Sequence, residues 1–339
     1  MPSSIFSSER APKGGIGATI GIAVLCAILL LAGIEVFLRS NDGRTNLPLS
    51  KSRYADNLEK GLANPDRRTT LLLGASRVRS GFSSAAFAKR YGNAPLYYLA
   101  TPGESPLALL TYLADRSAFS GYLIVALSGE FMSGNAYLQQ DYVVNYYEDE
   151  WNLNQKINHR TGDWISGNLV LRQEVYSIAN IIRTTLTETA LPPVPYWRRN
   201  EATGESFYDF SRVRDLSLLA PPRRVSTSLE HPDPGWKANR SRLQKAVSGL
   251  TARGAKIALV RLPTSGNRWL NENTRWPREK YWNRISSPAG VVKLHFQDVD
   301  VIGRFDQPDW SHIDERDKAA FTSALLTALE SRGMTWDKP

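Results

Sequence analysis

The sequence predicts an α/β domain with a mostly parallel five-stranded sheet, in a three-layer, flavodoxin-like arrangement, behind one N-terminal transmembrane helix. Three observations carry this. Short apolar and β-branched runs recur at Thr69–Leu73, Leu96–Ala100, Gly121–Leu127, Lys256–Leu262 and Leu294–Val299. Segments with apolar residues at helical spacing alternate with them, at Ser83–Tyr91, Ser105–Arg116, Lys237–Arg253 and after Asp314. That alternation is the pattern of a parallel sheet covered by helices. Finally, Gly14 to Ile34 is a run of 21 residues without a charge, enough to cross a hydrocarbon core of about 30 Å.

Taken in order, residues 1–13 read as a polar cytoplasmic tail, with Arg10 and Lys13 just ahead of the apolar run. Residues 14–38 read as an uncleaved signal anchor. The run is longer than the apolar core of a signal peptide, and no small-x-small cleavage site follows it. Cys26 follows Leu25, which argues against a lipoprotein site. Basic residues beyond the segment (Arg39, Arg44, Lys51, Arg53) blur the charge bias, but long domains translocate largely regardless of charge. The expected location is therefore the inner (cytoplasmic) membrane, single-pass, with the main domain periplasmic or otherwise extracytoplasmic.

Residues 39–68 read as a linker with a helical patch at Tyr54–Leu62. The stretches 69–129 and 234–333 read as the two halves of one domain, and 130–233 as an insertion. Its first part is rich in Tyr, Trp and Asn; its second carries Pro192, Pro193, Pro195, Pro221, Pro222 and Pro232 and reads as irregular chain or a lid. Exposed aromatics beside Asn and Asp suit stacking on sugar rings, while packing of the insertion onto the core would use the same residues. In the second half, Gly254 stops the helix from Lys237, and WPREKYW at 276–282 suggests a short helix. Asp314 is expected to cap the last helix, with Asp317 in its first turn.

Composition narrows the function. The formal charge is +9, from 42 basic and 33 acidic residues, but the excess is scattered. The basic stripe with interleaved aromatics that marks a nucleic-acid binder is missing from the sequence. One cysteine excludes an intramolecular disulfide, and the four histidines lack zinc-ligand spacing. No metal and no cofactor is expected.

Chemistry concentrates in two short blocks. The first strand stops at Gly74-Ala75-Ser76, which places Ser76 beyond a carboxyl strand end, where ligands bind in open α/β sheets. Near the other end, Asp309-Trp310-Ser311-His312 sets a carboxylate three residues before an imidazole. A nucleophilic serine needs a base, and the base needs an acceptor that fixes its tautomer. Ser76, His312 and Asp309 supply these three types in the chain order Ser, Asp, His.

These blocks resemble the SGNH (GDSL-like) hydrolase superfamily, in its divergent membrane-anchored bacterial branch. The resemblance spans residues 69–333, interrupted by the insertion. The sequence departs from the family at Ala75, where many members have Asp, and at Arg77, where many have Leu. The resemblance implies Ser76 as nucleophile, His312 as general base and then acid, and Asp309 as its orienting partner. It further implies a Gly103 amide in the oxyanion hole and an Asn after the third strand; Asn135 comes later than the family places it. Arg77 and Arg261 stand at the same edge as candidate substrate contacts. The expected activity is ester hydrolysis or O-acyl (acetyl) transfer on an extracytoplasmic polysaccharide. Expected partners are the carbohydrate or acyl-ester substrate, the membrane through the N-terminal helix, and, for transfer, a membrane acyl-donor protein. The alternative is a non-catalytic carbohydrate-binding or scaffold subunit.

Overall fold

The computed structural model describes residues 15–41, 50–134, 136, 140–173, 176–177, 180, 182–183, 186, 196–199, 203–220 and 234–337. The chain divides into two compact units, one of Met1–Thr45 with Ile165–Val194 and one of Asn46–Trp164 with Pro195–Pro339.

The first unit contains α1 (Gly15–Ser40), an apolar helix long enough to cross a membrane. Its apolar side chains face outward along most of its length. Polar contacts begin only in its last turns. Glu35 accepts the backbone N–H groups of Val170 and Leu171 at 2.8 and 2.9 Å. Arg39 pairs with Glu35 and donates to the Asn168 carbonyl at 2.7 Å. Leu38, Val170 and Tyr176 form a small apolar cluster beside these bonds.

The second unit holds a five-stranded sheet in which every pairing is parallel. Its early elements are α2 (Lys51–Ala63), β1 (Thr70–Leu73), α3 (Ser76–Gly81), α4 (Ser84–Tyr91), β2 (Leu96–Tyr98), α5 (Leu107–Arg116) and β3 (Tyr122–Ala126). Then come α6 (Asp141–Asn145), α7 (Leu153–Asn168, whose last four residues belong to the first unit) and an antiparallel hairpin of β4 (Trp197–Arg199) and β5 (Ser206–Tyr208). The chain closes with α8 (Pro234–Ala252), β6 (Lys256–Arg261), α9 (Gly266–Arg275), β7 (Val291–His295) and α10 (Lys318–Glu330). The strand order is β2-β1-β3-β6-β7.

Successive strand side chains point to opposite faces, and here both faces are apolar. Leu71, Leu73, Leu123, Val125 and Leu259 join the α2, α5 and α8 side chains in one cluster. Leu72, Ile124, Val260 and Leu294 join Phe87, Phe321 and Leu325 in the other. This explains why the strands read as continuous apolar runs, as parallel strands do. Each fully buried leucine contributes roughly 1.5–3 kcal/mol.

Four expectations shift. The fifth strand lies at Val291–His295, three residues earlier than expected, and a 3-10 turn occupies Phe296–Asp298. The His295 ring accepts the Gln297 N–H and so ends the strand. The 276–282 segment forms turns and leads into a 3-10 turn at Trp282–Arg284 instead of a helix. Asp314 does not cap the last helix, whose N-cap position is Asp317, without a side-chain bond. Asp314 instead accepts the Phe210 N–H and pairs with Arg316. Finally, the stretch 39–68 contains α2, whose Tyr54 and Leu58 are buried in the core.

Candidate active site

The site begins where β1 ends. Gly74 has φ +140, and a Cβ there would lie 2.8 Å from the Ala126 Cβ and 3.0 Å from the Ala126 carbonyl. Only glycine allows β1 and β3 to approach this closely while the chain turns. Ala75 is extended, and Ser76 is the first residue of α3. The Ser76 hydroxyl therefore stands at the carboxyl edge of the sheet.

The Asp309 block reaches it from the other end of the chain. His312 Nε2 lies 2.8 Å from Ser76 Oγ, and His312 Nδ1 lies 2.6 Å from Asp309 Oδ2. The other carboxylate oxygen accepts the N–H groups of His312 and Ser311 at 2.7 and 3.0 Å. Burial alone would raise the Asp309 pKa, but the His312 ring and these backbone donors outweigh it and hold the carboxyl below its ordinary value. Asp309 is thus an anion at neutral pH. An anionic acceptor at Nδ1 keeps the proton there and leaves the Nε2 lone pair facing the Ser76 hydroxyl.

Three supports hold the loop. Trp310 sits at φ 65, a left-handed conformation uncommon for an aromatic residue. It is clamped by Ser265, whose N–H donates to the Trp310 carbonyl at 3.2 Å, and by Gly266, where a Cβ would meet the indole at 2.5 Å. The second support is Tyr208 of β5, stacked on the His312 imidazole with ring centroids 4.3 Å apart and planes 5° from parallel. The hairpin that presents Tyr208 is anchored by buried polar contacts. Lys318 pairs with Glu205 at 2.5 Å and donates to the Ser206 carbonyl at 2.7 Å. Arg79 donates to the Ser206 hydroxyl, and the Glu315 N–H to the Tyr208 carbonyl.

The third support is an ion cluster. Arg77 donates to Ser311 Oγ at 3.2 Å and pairs with Glu272 of α9 at 2.5 Å. Arg261 pairs with the other Glu272 oxygen and Arg268 joins at 3.1 Å. Burial would raise the Glu272 pKa, but the Arg261, Arg77 and Arg268 charges pull it down to about 2. The Arg77 and Arg261 guanidiniums are therefore paired inward with Glu272, while both residues also line a small pocket beside Ala75 and Ser128. They gain more from Glu272 in a low-dielectric interior than from facing water.

Gly103 is exposed with φ +77, at the end of β2. The Thr101 N–H bonded to the Gly74 carbonyl at 2.9 Å brings that end beside the Ser76 turn. A Cβ at Gly103 would meet nothing, so the left-handed backbone is what requires glycine. Next to it, burial pushes the Glu104 carboxyl up to about 7. Asn135 lies outside the described residues. Ser128, at the end of β3, is buried and its hydroxyl accepts the Phe131 N–H.

The structure thus brings Ser76, Asp309 and His312 into one hydrogen-bonded chain. Sequence reading missed Tyr208, Glu272 and the Gly266–Trp310 clamp. Gly266, after the strand-end Thr264-Ser265, is the one local signal among them; the Tyr208–His312 and Glu272–Arg77 pairings each span more than a hundred residues. Among the described residues, no group of three His, Cys, Asp or Glu side chains is placed to hold a metal ion. Comparison with models of known protein families finds no match, and comparison with curated proteins finds no significant one.

Proposed function

We propose that the protein is a membrane-anchored serine ester hydrolase or O-acyltransferase of the SGNH (GDSL-like) type, acting on an extracytoplasmic carbohydrate. The observation that carries this reading is the continuous Ser76–His312–Asp309 bonding, at 2.8 and 2.6 Å. Strand order β2-β1-β3-β6-β7 supports a three-layer, flavodoxin-like sheet, in which the β1/β3 carboxyl edge is the ligand crevice. The apolar α1 supports a single-pass anchor, and on this reading the main domain lies outside the cytoplasm.

In this mechanism Ser76 Oγ attacks the ester carbonyl while His312 Nε2 takes its proton. The negative charge that develops on the carbonyl oxygen is met by the N–H groups of Ser76 and Gly103. Collapse of the intermediate breaks the ester bond, and His312 returns the proton to the leaving alcohol. Water or a sugar hydroxyl then attacks the acyl-enzyme by the same steps in reverse. Asp309 stays ionised and steadies the imidazolium.

The test is p-nitrophenyl acetate turnover by the full chain in detergent, beside Ser76→Ala, together with fluorophosphonate labelling. Turnover and label that both vanish in the variant support the reading. Failure of the wild type to turn over or to take label at Ser76 refutes it and favours a non-catalytic carbohydrate-binding subunit.

A further inference from the structure

The charges around Glu272 do not balance. Arg77 and Arg261, each with a side chain more than nine-tenths buried, share that single carboxylate. Arg268 also reaches it, but this guanidinium is one-third exposed and has Glu130 as a second partner. Two buried guanidiniums therefore face one buried carboxylate, and one positive charge is left over. Burial, with the neighbouring Arg261 and Arg268 charges, lowers Arg77 to about 10 in spite of Glu272, so it is still a cation at neutral pH. A buried charge without a counter-charge is costly, and a ligand of opposite sign relieves that cost.

The excess charge borders a pocket. Arg77 and Arg261 line it together with Ala75, Ser128, Phe131 and Leu262. It lies at the carboxyl edge of β1, β3 and β6, where ligands enter an α/β sheet. Donors are left over on its walls. Arg77 engages Ser311 through Nε and Glu272 through Nη2, and among the described residues its Nη1 has no partner. Arg261 engages the Leu262 carbonyl through Nη1, and Thr264 and Glu272 through Nη2, which leaves its Nε. The Ser128 hydroxyl accepts the Phe131 N–H, and its own proton has no acceptor among the described residues.

Two guanidinium N–H donors and a hydroxyl on one pocket suit a carboxylate. One left-over positive charge matches its one negative charge. The interior takes only about one or two water-sized groups, the scale of a carboxylate and much less than a sugar ring. Ser76 stands in the chain between Ala75 and Arg77, so the pocket adjoins the nucleophile's own turn.

We propose that this pocket receives a carboxylate carried by the substrate, held by Arg77, Arg261 and Ser128. The inference rests on the ester chemistry proposed above and narrows its substrate to an acidic ester. The carboxylate belongs either to the acyl group, as in a half-ester of a dicarboxylic acid, or to a uronic acid in the carbohydrate.

The experiment is isothermal titration of the full chain in detergent, carrying Ser76→Ala so that nothing turns over. The probes are monomethyl glutarate beside neutral dimethyl glutarate, and methyl β-glucuronide beside neutral methyl β-glucoside. One acid should bind about tenfold or more tightly than its neutral twin, the worth of a hydrogen-bonded charge. Preference for the glutarate places the carboxylate on the acyl group; preference for the glucuronide places it on the sugar. Adding Arg77→Gln should abolish the preference, and adding Ser128→Ala, which leaves every ion pair intact, should cut it about threefold. Acids that bind no better than their twins overturn the inference. So does a preference that Ser128→Ala leaves unchanged, an outcome that decides the matter even where Arg77→Gln fails to fold. Binding is read without turnover, which separates the two readings. A wild type that labels and turns over while its Ser76→Ala form shows no preference loses this inference alone. A chain that prefers the acid but takes no label at Ser76 loses the ester reading and keeps the carboxylate site.

Discussion

Glu272→Gln is the most searching perturbation of the site's framework. The native carboxylate takes Arg77 at 2.5 Å and Arg268 at 3.1 Å on one oxygen, and Arg261 and Thr264 on the other. Glu272 and its Arg77 and Arg261 partners have side chains only 8%, 9% and 7% exposed. One carboxylate serves three guanidiniums, and even so burial lowers Arg77 to about 10. Glutamine keeps the shape but removes the charge and sets an NH₂ donor against a guanidinium. Stranding buried charges in this way costs about 3–5 kcal/mol. At about 2–4 °C per kcal/mol, the melting temperature of the full chain in detergent should fall by roughly 6–20 °C.

The pH dependence supplies the sign. The folded Glu272 carboxyl titrates at about 2 against an ordinary 4.5. Its stabilisation is complete above 4.5 and is lost as pH falls towards 2, so the gap between wild type and variant should close over that window. A neutral-pH drop below about 2 °C, under 1 kcal/mol, would refute the idea that this carboxylate holds the cluster together. A gap that widened on acidification would refute the electrostatic account.

Three further outcomes follow from the site. Asp309→Asn should lower kcat for p-nitrophenyl acetate by about 10⁴-fold with an unchanged melting temperature, since it loses the tautomer and not the fold; a loss under tenfold would remove Asp309 from the mechanism. Tyr208→Phe keeps the ring on His312 and should stay within about threefold of wild-type kcat, whereas Tyr208→Leu should lose up to about tenfold, the worth of an aromatic pair; equal rates in the two variants would make the stack incidental. Gly266→Ala forces a Cβ against the Trp310 indole at a φ of +51 and should cost about 1–3 kcal/mol. Urea unfolding would measure that cost, and parallel activity assays should show turnover falling further than stability, because the displaced Trp310 carries Asp309 and His312 with it.

Much of this protein is written locally in its chain. Thr70–Leu73, Tyr122–Ala126 and Lys256–Arg261 are legible because strands buried on both faces are continuous apolar runs. The carboxylate and imidazole of Asp309 and His312 are legible as a pair because three residues and one turn are enough to join them. The apolar helix is legible from length and lack of charge alone.

Tertiary structure decided the rest. That Ser76 meets His312 at 2.8 Å across 236 residues of chain depends on strand order, which periodicity does not encode. The fifth strand was misplaced because Leu294, Phe296 and Val299 look alike in sequence, while the His295 cap that ends the strand is a three-dimensional bond. Arg77 and Arg261 read as candidate substrate contacts because both stand at the carboxyl edge of the sheet, where ligands bind. Only the arrival of Glu272 from α9 makes their burial favourable, and only the fold brings it there. Tyr208 shows the same limit. An aromatic residue in a long insertion has no sequence mark for the imidazole it covers, because packing partners are chosen by the folded backbone and not by the neighbours in the chain.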